Sequence, residues 1–165
     1  MSAEDTSFDV KSRAAARMAA VQSLYELDMV DGDEDPVLRT FIEKRWTVMV
    51  EDEDGDEIGE AEFNDPDKTF LIELVRGVGE RKTDLDEMLN GALGPKWSVE
   101  RIEILMRAIL RCGAYELLER SEIPAKVVIN EYMDIANAFF TESEPKMVNG
   151  VLDKLGHTLR DGKMD

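Results

Sequence analysis

The chain has 165 residues, of which 43% are hydrophobic, and it carries a formal net charge of −17. Its length predicts one domain, or two small subdomains that share a core, and its single cysteine, Cys112, excludes an internal disulfide framework. No apolar run approaches the ~20 residues that a membrane span requires. The acidic N-terminus lacks the basic and apolar regions of a secretory signal, so we expect a soluble, cytoplasmic protein.

The acidic charge is concentrated in one block of the sequence. Residues 28–67 sum to −13, whereas residues 11–27 sum to +2. Such a chain is a poor general nucleic-acid binder, because phosphate binding is electrostatic. Salt limits the reach of surface charges to about 8–10 Å, however, so a basic surface elsewhere on the chain remains effective locally.

Apolar residues recur at helical spacing along most of the chain. The first predicted helix ends at Asp31-Gly32, and residues 1–10 are expected to be flexible. The predicted helices are, in chain order, 12–30, 35–46, 68–78, 80–91, 98–117, 124–140 and 145–159. The pattern therefore predicts an all-α protein.

The fifth predicted helix is the strongest candidate for the centre of the core. Ser98 is its predicted N-cap, with Glu100 and Glu103 in the first turns. Its apolar residues cover more than one face, which is typical of a buried helix. Cys112 lies within this pattern and is therefore expected to be a small core residue.

Residues 47–67 form an acidic insertion that does not follow the helical pattern. The segments TVMV and EIGEAEF alternate around Gly55, which predicts a small hairpin, and a disordered acidic loop is the alternative. An EF-hand is excluded by spacing. With Gly55 at the sixth position of the loop, the first and twelfth positions would be Val50 and Ala61, neither of which is a calcium ligand.

The sequence contains no recognisable catalytic constellation. His157 is the only histidine, and together with one cysteine it cannot supply a metal-ligand cluster. Gly77 and Gly79 are not followed by the lysine of a phosphate-binding loop. These observations favour a binding protein over an enzyme, and no cofactor is predicted.

The segment KSRAAARMAAVQS, residues 11–23, contains three cations and no acid. Arg13 and Arg17 are four residues apart and share a helix face. Near a helix N-terminus each cation is disfavoured by roughly 0.3–1 kcal/mol, so their presence there points to an anionic ligand. The alternative is that they form ion pairs with acids of the same chain.

Four segments of the sequence resemble the NusB family, especially its alphaproteobacterial members. They are RAAARMAAVQSLYELD at 13–28, WSVERIEILMRAILRCGAYELLER at 97–120, IPAKVVINEYMDIANAF at 123–139 and KMVNGVLDKL at 146–155. The resemblance implies one NusB-like all-α domain of about seven helices in two subdomains. These would span residues 11–91, including the acidic insertion, and residues 97–161.

The resemblance also implies a function. NusB-family proteins bind the boxA element of nascent RNA together with NusE, a small-subunit ribosomal protein. The pair acts in the RNA polymerase antitermination complex, notably on ribosomal RNA operons. The resemblance implies neither catalysis nor contact with a membrane, and the acidic insertion is expected to steer the basic NusE.

The residues expected to bind RNA match motifs of the family or lie beside them. They are Lys11, Arg13, Arg17, Gln22, Lys126, Phe139, Lys146 and Asn149. Phe139 is expected either to stack on a base or to be a core aromatic, and Asn149 either to bind RNA or to tie a helix junction. Ala14 and Ala15 stand where some relatives have arginines, so RNA binding is expected to be moderate, salt-sensitive and dependent on NusE.

Two other functions remain compatible with the sequence. One is a NusB-like protein-interaction module with little or no RNA binding of its own, which the charge of −17 favours. The other is the NusB-like domain that some ribosomal-RNA cytosine methyltransferases carry. No Rossmann-type methyltransferase region occurs in the sequence, which argues against the second alternative.

Overall fold

The computed structural model describes residues 3–30, 47–51, 57–62, 65–141 and 143–160. These residues form six helices and one two-stranded sheet. The elements are α1 Ala3–Val30, β1 Thr47–Glu51, β2 Glu57–Glu62, α2 Asp65–Glu80, α3 Lys82–Leu93, α4 Ile104–Glu119, α5 Ala125–Phe139 and α6 Ser143–Leu159. The helix predicted at 35–46 lies outside the described residues, so the total of seven helices stays a prediction.

The chain divides into two compact units, Met1–Val75 and Arg76–Asp165. The division falls inside α2 and not after residue 91, where the sequence analysis placed it. The cause is the packing of α3, which contacts α4 and α6 and therefore belongs with the C-terminal helices. No helix in the described part of the chain is both long and apolar enough to span a membrane.

In the N-terminal unit, α1 begins at Ala3, within the segment that was predicted to be flexible. The acidic start of that segment, AEDTSFDV, suits the first turns of a helix because acids complement the helix dipole. Further along α1, Ala16, Ala20 and Val21 are completely buried. Their spacing places them on one face, as the helical pattern predicted.

The acidic insertion contains a hairpin rather than a structureless loop. β1 and β2 pair antiparallel, with Thr47 opposite Glu62 and Val50 opposite Gly59. The register becomes irregular at Glu51. The residues of the predicted turn around Gly55 lie outside the described part of the chain.

The C-terminal unit is built around α4. Every residue of this helix from Ala108 to Leu117 is buried, and α4 contacts α3, α5 and α6. The prediction of a central core helix is therefore confirmed. Gly113 permits its close approach to α6, because a Cβ atom at this position would lie 2.7 Å from Leu152 Cδ1.

The start of α4 differs from the prediction. The helix begins at Ile104 with Glu103 at its N-cap, so Ser98 does not cap it. Instead the Ser98 carbonyl accepts a hydrogen bond of 3.0 Å from the Arg101 amide, which closes a turn before the helix. Val99 and Ile102 are buried in this segment, and anchoring both side chains requires the chain to turn here.

Two polar contacts connect α4 to its neighbours within the core. Arg111 of α4 binds Asp86 of α3 through two hydrogen bonds, Nε–Oδ1 at 2.8 Å and Nη2–Oδ2 at 2.9 Å. The Tyr132 hydroxyl of α5 donates to the buried carboxylate of Glu116. Because each buried charge has a partner, these contacts fix how the helices pack without leaving an unsatisfied group.

The end of α4 is capped by a residue distant in the sequence. Arg160, directly after α6, donates to the carbonyls of Leu117 at 2.8 Å, Ile123 at 2.9 Å and Arg120 at 3.1 Å. The last carbonyls of a helix have no partner within the helix and carry partial negative charge. The Arg160 guanidinium therefore supplies hydrogen-bond donors to carbonyls at the end of α4 and in the loop that follows it.

Candidate nucleic-acid interface

In the N-terminal unit, the two predicted RNA-binding arginines share an aromatic partner. The guanidinium carbons of Arg13 and Arg17 each lie 5.2 Å from the ring centroid of Phe70, on α2. Phe70 itself is only 2% exposed. At this distance a cation above an aromatic ring is attracted by the ring quadrupole, by about 0.5–2 kcal/mol depending on burial.

The two arginines differ in exposure. Arg17 is 3% exposed, whereas Arg13 is half-buried. Burial at this level leaves little of Arg17 open to a phosphate, and its guanidinium lies over Phe70, so direct contact of Arg17 with RNA stays a prediction. Arg13 keeps part of its surface exposed, and its guanidinium lies over Phe70.

The longer α1 also changes the electrostatic argument for these cations. Because the helix begins at Ala3, Lys11, Arg13 and Arg17 lie in its interior and not in its first turn. The free N–H groups of a helix N-terminus are confined to its first turn, so they do not contribute to an anion site here. The side chain of Lys11 lies outside the described part of the structure, and Gln22 is half-buried.

In the C-terminal unit, the four predicted RNA-binding residues are all exposed: Lys126, Phe139, Lys146 and Asn149. Phe139 is 43% exposed, which excludes the fully buried core position that was its alternative. Asn149 is likewise exposed on α6 and is not buried in a helix junction. Each of these side chains is therefore accessible to a ligand.

Three of these four residues lie on either side of the turn between α5 and α6. Lys146 and Asn149 are three residues apart on α6 and share a face. Phe140 and Met147 line one cavity, so the end of α5, where Phe139 lies, is beside the first turns of α6. Lys126 is at the opposite end of α5, about 20 Å from Phe139 along the helix at a rise of about 1.5 Å per residue.

The same junction contains a cavity of about 300 Å³ that the sequence analysis missed. Apolar and charged residues both line it, and Trp97 among them is 49% exposed. Its lining residues are Trp97, Arg101, Ile102, Glu103, Met106, Phe140, Ser143, Glu144 and Met147. Trp97 lies between the helices predicted at 80–91 and 98–117, and periodicity gives no signal for a cavity formed where three segments meet.

The described residues contain no group of three or more side chains placed to hold a metal ion. His157 lies on the exposed face of α6, with Nε2 3.7 Å from Asp153 Oδ2. Cys112 is completely buried, as predicted, and burial raises the pKa of its thiol far above the usual value, with Glu116 as a second cause and Arg111 opposing. A protonated, inaccessible thiol is a core group and not a nucleophile.

The arrangement of the helices matches that of solved NusB structures. NusB of T. maritima has a TM-score of 0.71 at 28% identity, covering 87% of this chain and 89% of that one. The crystal structure of antitermination factors NusB and NusE in complex with dsRNA gives a TM-score of 0.70 at 20% identity, covering 90% and 98%. The fold is thus that of an all-helical protein of the NusB type.

Sequence comparison identifies the family. The NusB family model matches residues 14–157. Transcription antitermination protein NusB of Maricaulis maris is 42% identical over 149 residues, which cover 90% of this chain and 88% of the relative. The Caulobacter vibrioides protein of the same name is 39% identical over 152 residues, covering 92% and 97%. The chain belongs to the NusB family of transcription antitermination factors, and the predicted alphaproteobacterial resemblance is confirmed.

Proposed function

We propose that this chain binds single-stranded boxA-type RNA together with NusE, within the RNA polymerase antitermination complex of the cytoplasm. In this role it promotes processive transcription of ribosomal RNA operons and performs no catalysis. The observation that carries the proposal is the exposure of three predicted RNA-binding residues on consecutive helices: Phe139 at the end of α5, and Lys146 and Asn149 in the first half of α6. An aromatic ring, a cation and an amide are the groups that recognise unstacked bases and the phosphates between them.

Structural relatives support the choice of partners. One of the matched structures contains NusB, NusE and double-stranded RNA in the same complex. We transfer that assembly to this chain because it belongs to the same family and shares the fold over most of its length. The transfer concerns the kind of partner, and the residues proposed here are those of this chain alone.

The charges predict how strongly RNA binding depends on salt. With Arg17 buried, the remaining described candidates among the cations are Arg13, Lys126 and Lys146. Each phosphate contact to a single strand contributes about −0.7 to the slope of log K against log salt, so three contacts give about −2. This shallow slope corresponds to moderate affinity, which explains why a second protein has to contribute contacts.

The proposal is tested by fluorescence anisotropy with a labelled boxA-like strand and a scrambled strand, with and without purified NusE, at two salt concentrations. We expect preferential binding of the boxA-like strand in the presence of NusE, and at least a tenfold loss in Phe139→Ala, about the alanine-scan value for one stacked base. Val127→Ala is the matched control, because Val127 is on the same helix and is also 43% exposed. Equal binding of the two strands in every condition would refute the proposal.

A second function is favoured by the acidity of the chain and the burial of Arg17. It is a protein-interaction module that binds NusE and has no RNA contact of its own. The same experiment separates the two functions. For such a module NusE binding is retained, and Phe139→Ala leaves RNA binding by the complex unchanged.

A further inference from the structure

Gly150 lies in the middle of α6, where neither packing nor backbone conformation requires a glycine. It is exposed, and a Cβ atom built on it meets no atom within 4 Å. Its φ is not positive, since Gly94 is the glycine with that conformation among the described residues. Gly113 differs in this respect, because there the side chain of Leu152 excludes a Cβ atom.

A glycine in a helix interior weakens the helix, because it loses more backbone freedom on folding than any other residue. Where packing or a positive φ requires glycine, the fold accounts for the residue. Neither applies to Gly150. The remaining use of a glycine is to let a ligand approach the backbone more closely than a Cβ atom would allow.

The surroundings of Gly150 indicate which ligand this is. Lys146 and Lys154 lie one turn before and one turn after it on the same helix face, and both are exposed. Lys154 Nζ also lies 3.5 Å from the Ala92 carbonyl at the end of α3. The exposed acid next to this row, Asp153, lies beside His157. The row itself is therefore two cations separated by bare helix backbone.

These features suit a phosphate backbone better than a protein surface. The core of a protein interface requires large apolar anchors. The exposed large hydrophobic residues of the described chain are Tyr25, Met29, Trp97, Val127 and Phe139, and none of them lies on α6. Two lysines about 12 Å apart along the helix provide the charge that phosphates require.

We propose that the RNA sugar–phosphate backbone crosses α6 directly over Gly150, between Lys146 and Lys154. This inference rests on the proposed function and adds Gly150 as the point of closest approach and Lys154 as a further phosphate contact. The strand would continue from the α5–α6 junction, since Lys146 and Asn149 lie on α6 between its start and Gly150.

The test uses Gly150→Ala and Gly150→Leu in the full chain. Because the Cβ atom has free space, Gly150→Ala is expected to raise Tm by about 2–4 °C. The dissociation constant for a boxA-like strand, measured with NusE in excess, is expected to rise about tenfold for Ala and further for Leu, because the added atoms occupy the contact. A substitution that stabilises the protein and weakens RNA binding cannot be explained by misfolding.

Gly91→Ala and Gly91→Leu are the matched controls. Gly91 lies near the end of α3, is exposed, and also has no atom within 4 Å of a Cβ position. We expect these variants to bind RNA as the wild type does. Lys154→Ala is an independent variant, expected to reduce the salt slope by about 0.7 without changing Tm appreciably.

The outcomes separate this inference from the proposed function. If the wild-type complex with NusE does not bind the RNA, the proposed function fails and this inference fails with it. If the wild type binds but the Gly150 and Gly91 variants have equal RNA affinities, only the crossing at Gly150 is overturned. A loss of NusE binding in Gly150→Leu, with unchanged RNA binding by the residual complex, would assign this face to the protein partner and also overturn it.

Discussion

Replacing the two arginines beside Phe70 one at a time separates structural support from RNA contact. Arg17→Met removes a guanidinium that is 3% exposed and lies 5.2 Å from the ring centroid, while methionine retains much of the apolar stem. A desolvated cation–π contact is worth up to about 2 kcal/mol, so we expect a loss of about 1–2 kcal/mol. This corresponds to a decrease in Tm of about 2–8 °C for a chain of this length.

Arg13→Met removes the half-buried partner on the same ring. Its contact is more solvated and is worth about 0.5–1 kcal/mol, so the loss of stability is smaller. Its loss of RNA binding is larger, because Arg13 is the more exposed of the two arginines. We expect the salt slope to change by about 0.7 in Arg13→Met and to stay constant in Arg17→Met.

The assay combines urea and thermal unfolding, both followed by circular dichroism, with RNA titrations at four salt concentrations in the presence of NusE. Phe70→Leu serves as a second perturbation, because it removes the ring from both arginines at once. A structural role for Arg17 is refuted if Arg17→Met reduces the salt slope as much as Arg13→Met does while its Tm stays at the wild-type value. Arg17 would then contact phosphate directly, despite its burial.

Three further expectations concern other parts of the chain. Arg160→Met leaves carbonyls at the end of α4 unsatisfied and is expected to lower the free energy of unfolding, measured in urea, by about 2–3 kcal/mol. The control is Arg101→Met, which loses one exposed hydrogen bond of 3.4 Å and is expected to lower it by less than about 0.5 kcal/mol. The Cys112 thiol is expected to react with a thiol reagent only at the rate of unfolding. At neutral pH the thiol is protonated in both the folded and the unfolded protein. Because burial raises the pKa of the folded thiol, the protein loses stability only above about pH 8.5, where the thiol of the unfolded chain ionises. Neutralising the acids of residues 47–62 is expected to slow association with NusE at low salt and to leave the association rate at high salt unchanged. Stopped flow measures both rates. An unchanged association rate at low salt would exclude electrostatic steering by these acids.

The all-helical class could be predicted from the sequence because several of its helices are amphipathic and its motifs are those of one family. Helices α2, α3, α5 and α6 lie within a few residues of their predicted ranges, since apolar spacing largely determines where a helix packs. The predicted start of α4 at residue 98 was wrong for a physical reason. Ser98 is a good N-cap residue, but burial of Val99 and Ile102 favours a turn at that point.

The candidate site was less predictable than the fold. Exposure of Phe139 and burial of Arg17 depend on contacts between elements distant in the sequence, and no local pattern reports them. Phe70 lies within the helix predicted at 68–78, but its contact with two arginines of α1 could not be deduced from periodicity. Gly150 was noted only as part of a family motif, and its significance required knowing that the space around it is empty.

The contacts of Arg160 have a consequence for the order of folding. The carbonyls that it binds belong to the end of the central helix and to the loop before α5, yet Arg160 itself follows α6. During translation, the end of α4 therefore remains uncapped until α6 has left the ribosome. We expect amide protons near the end of α4 to become protected from exchange only when α6 docks, so that the C-terminal unit closes in one late step.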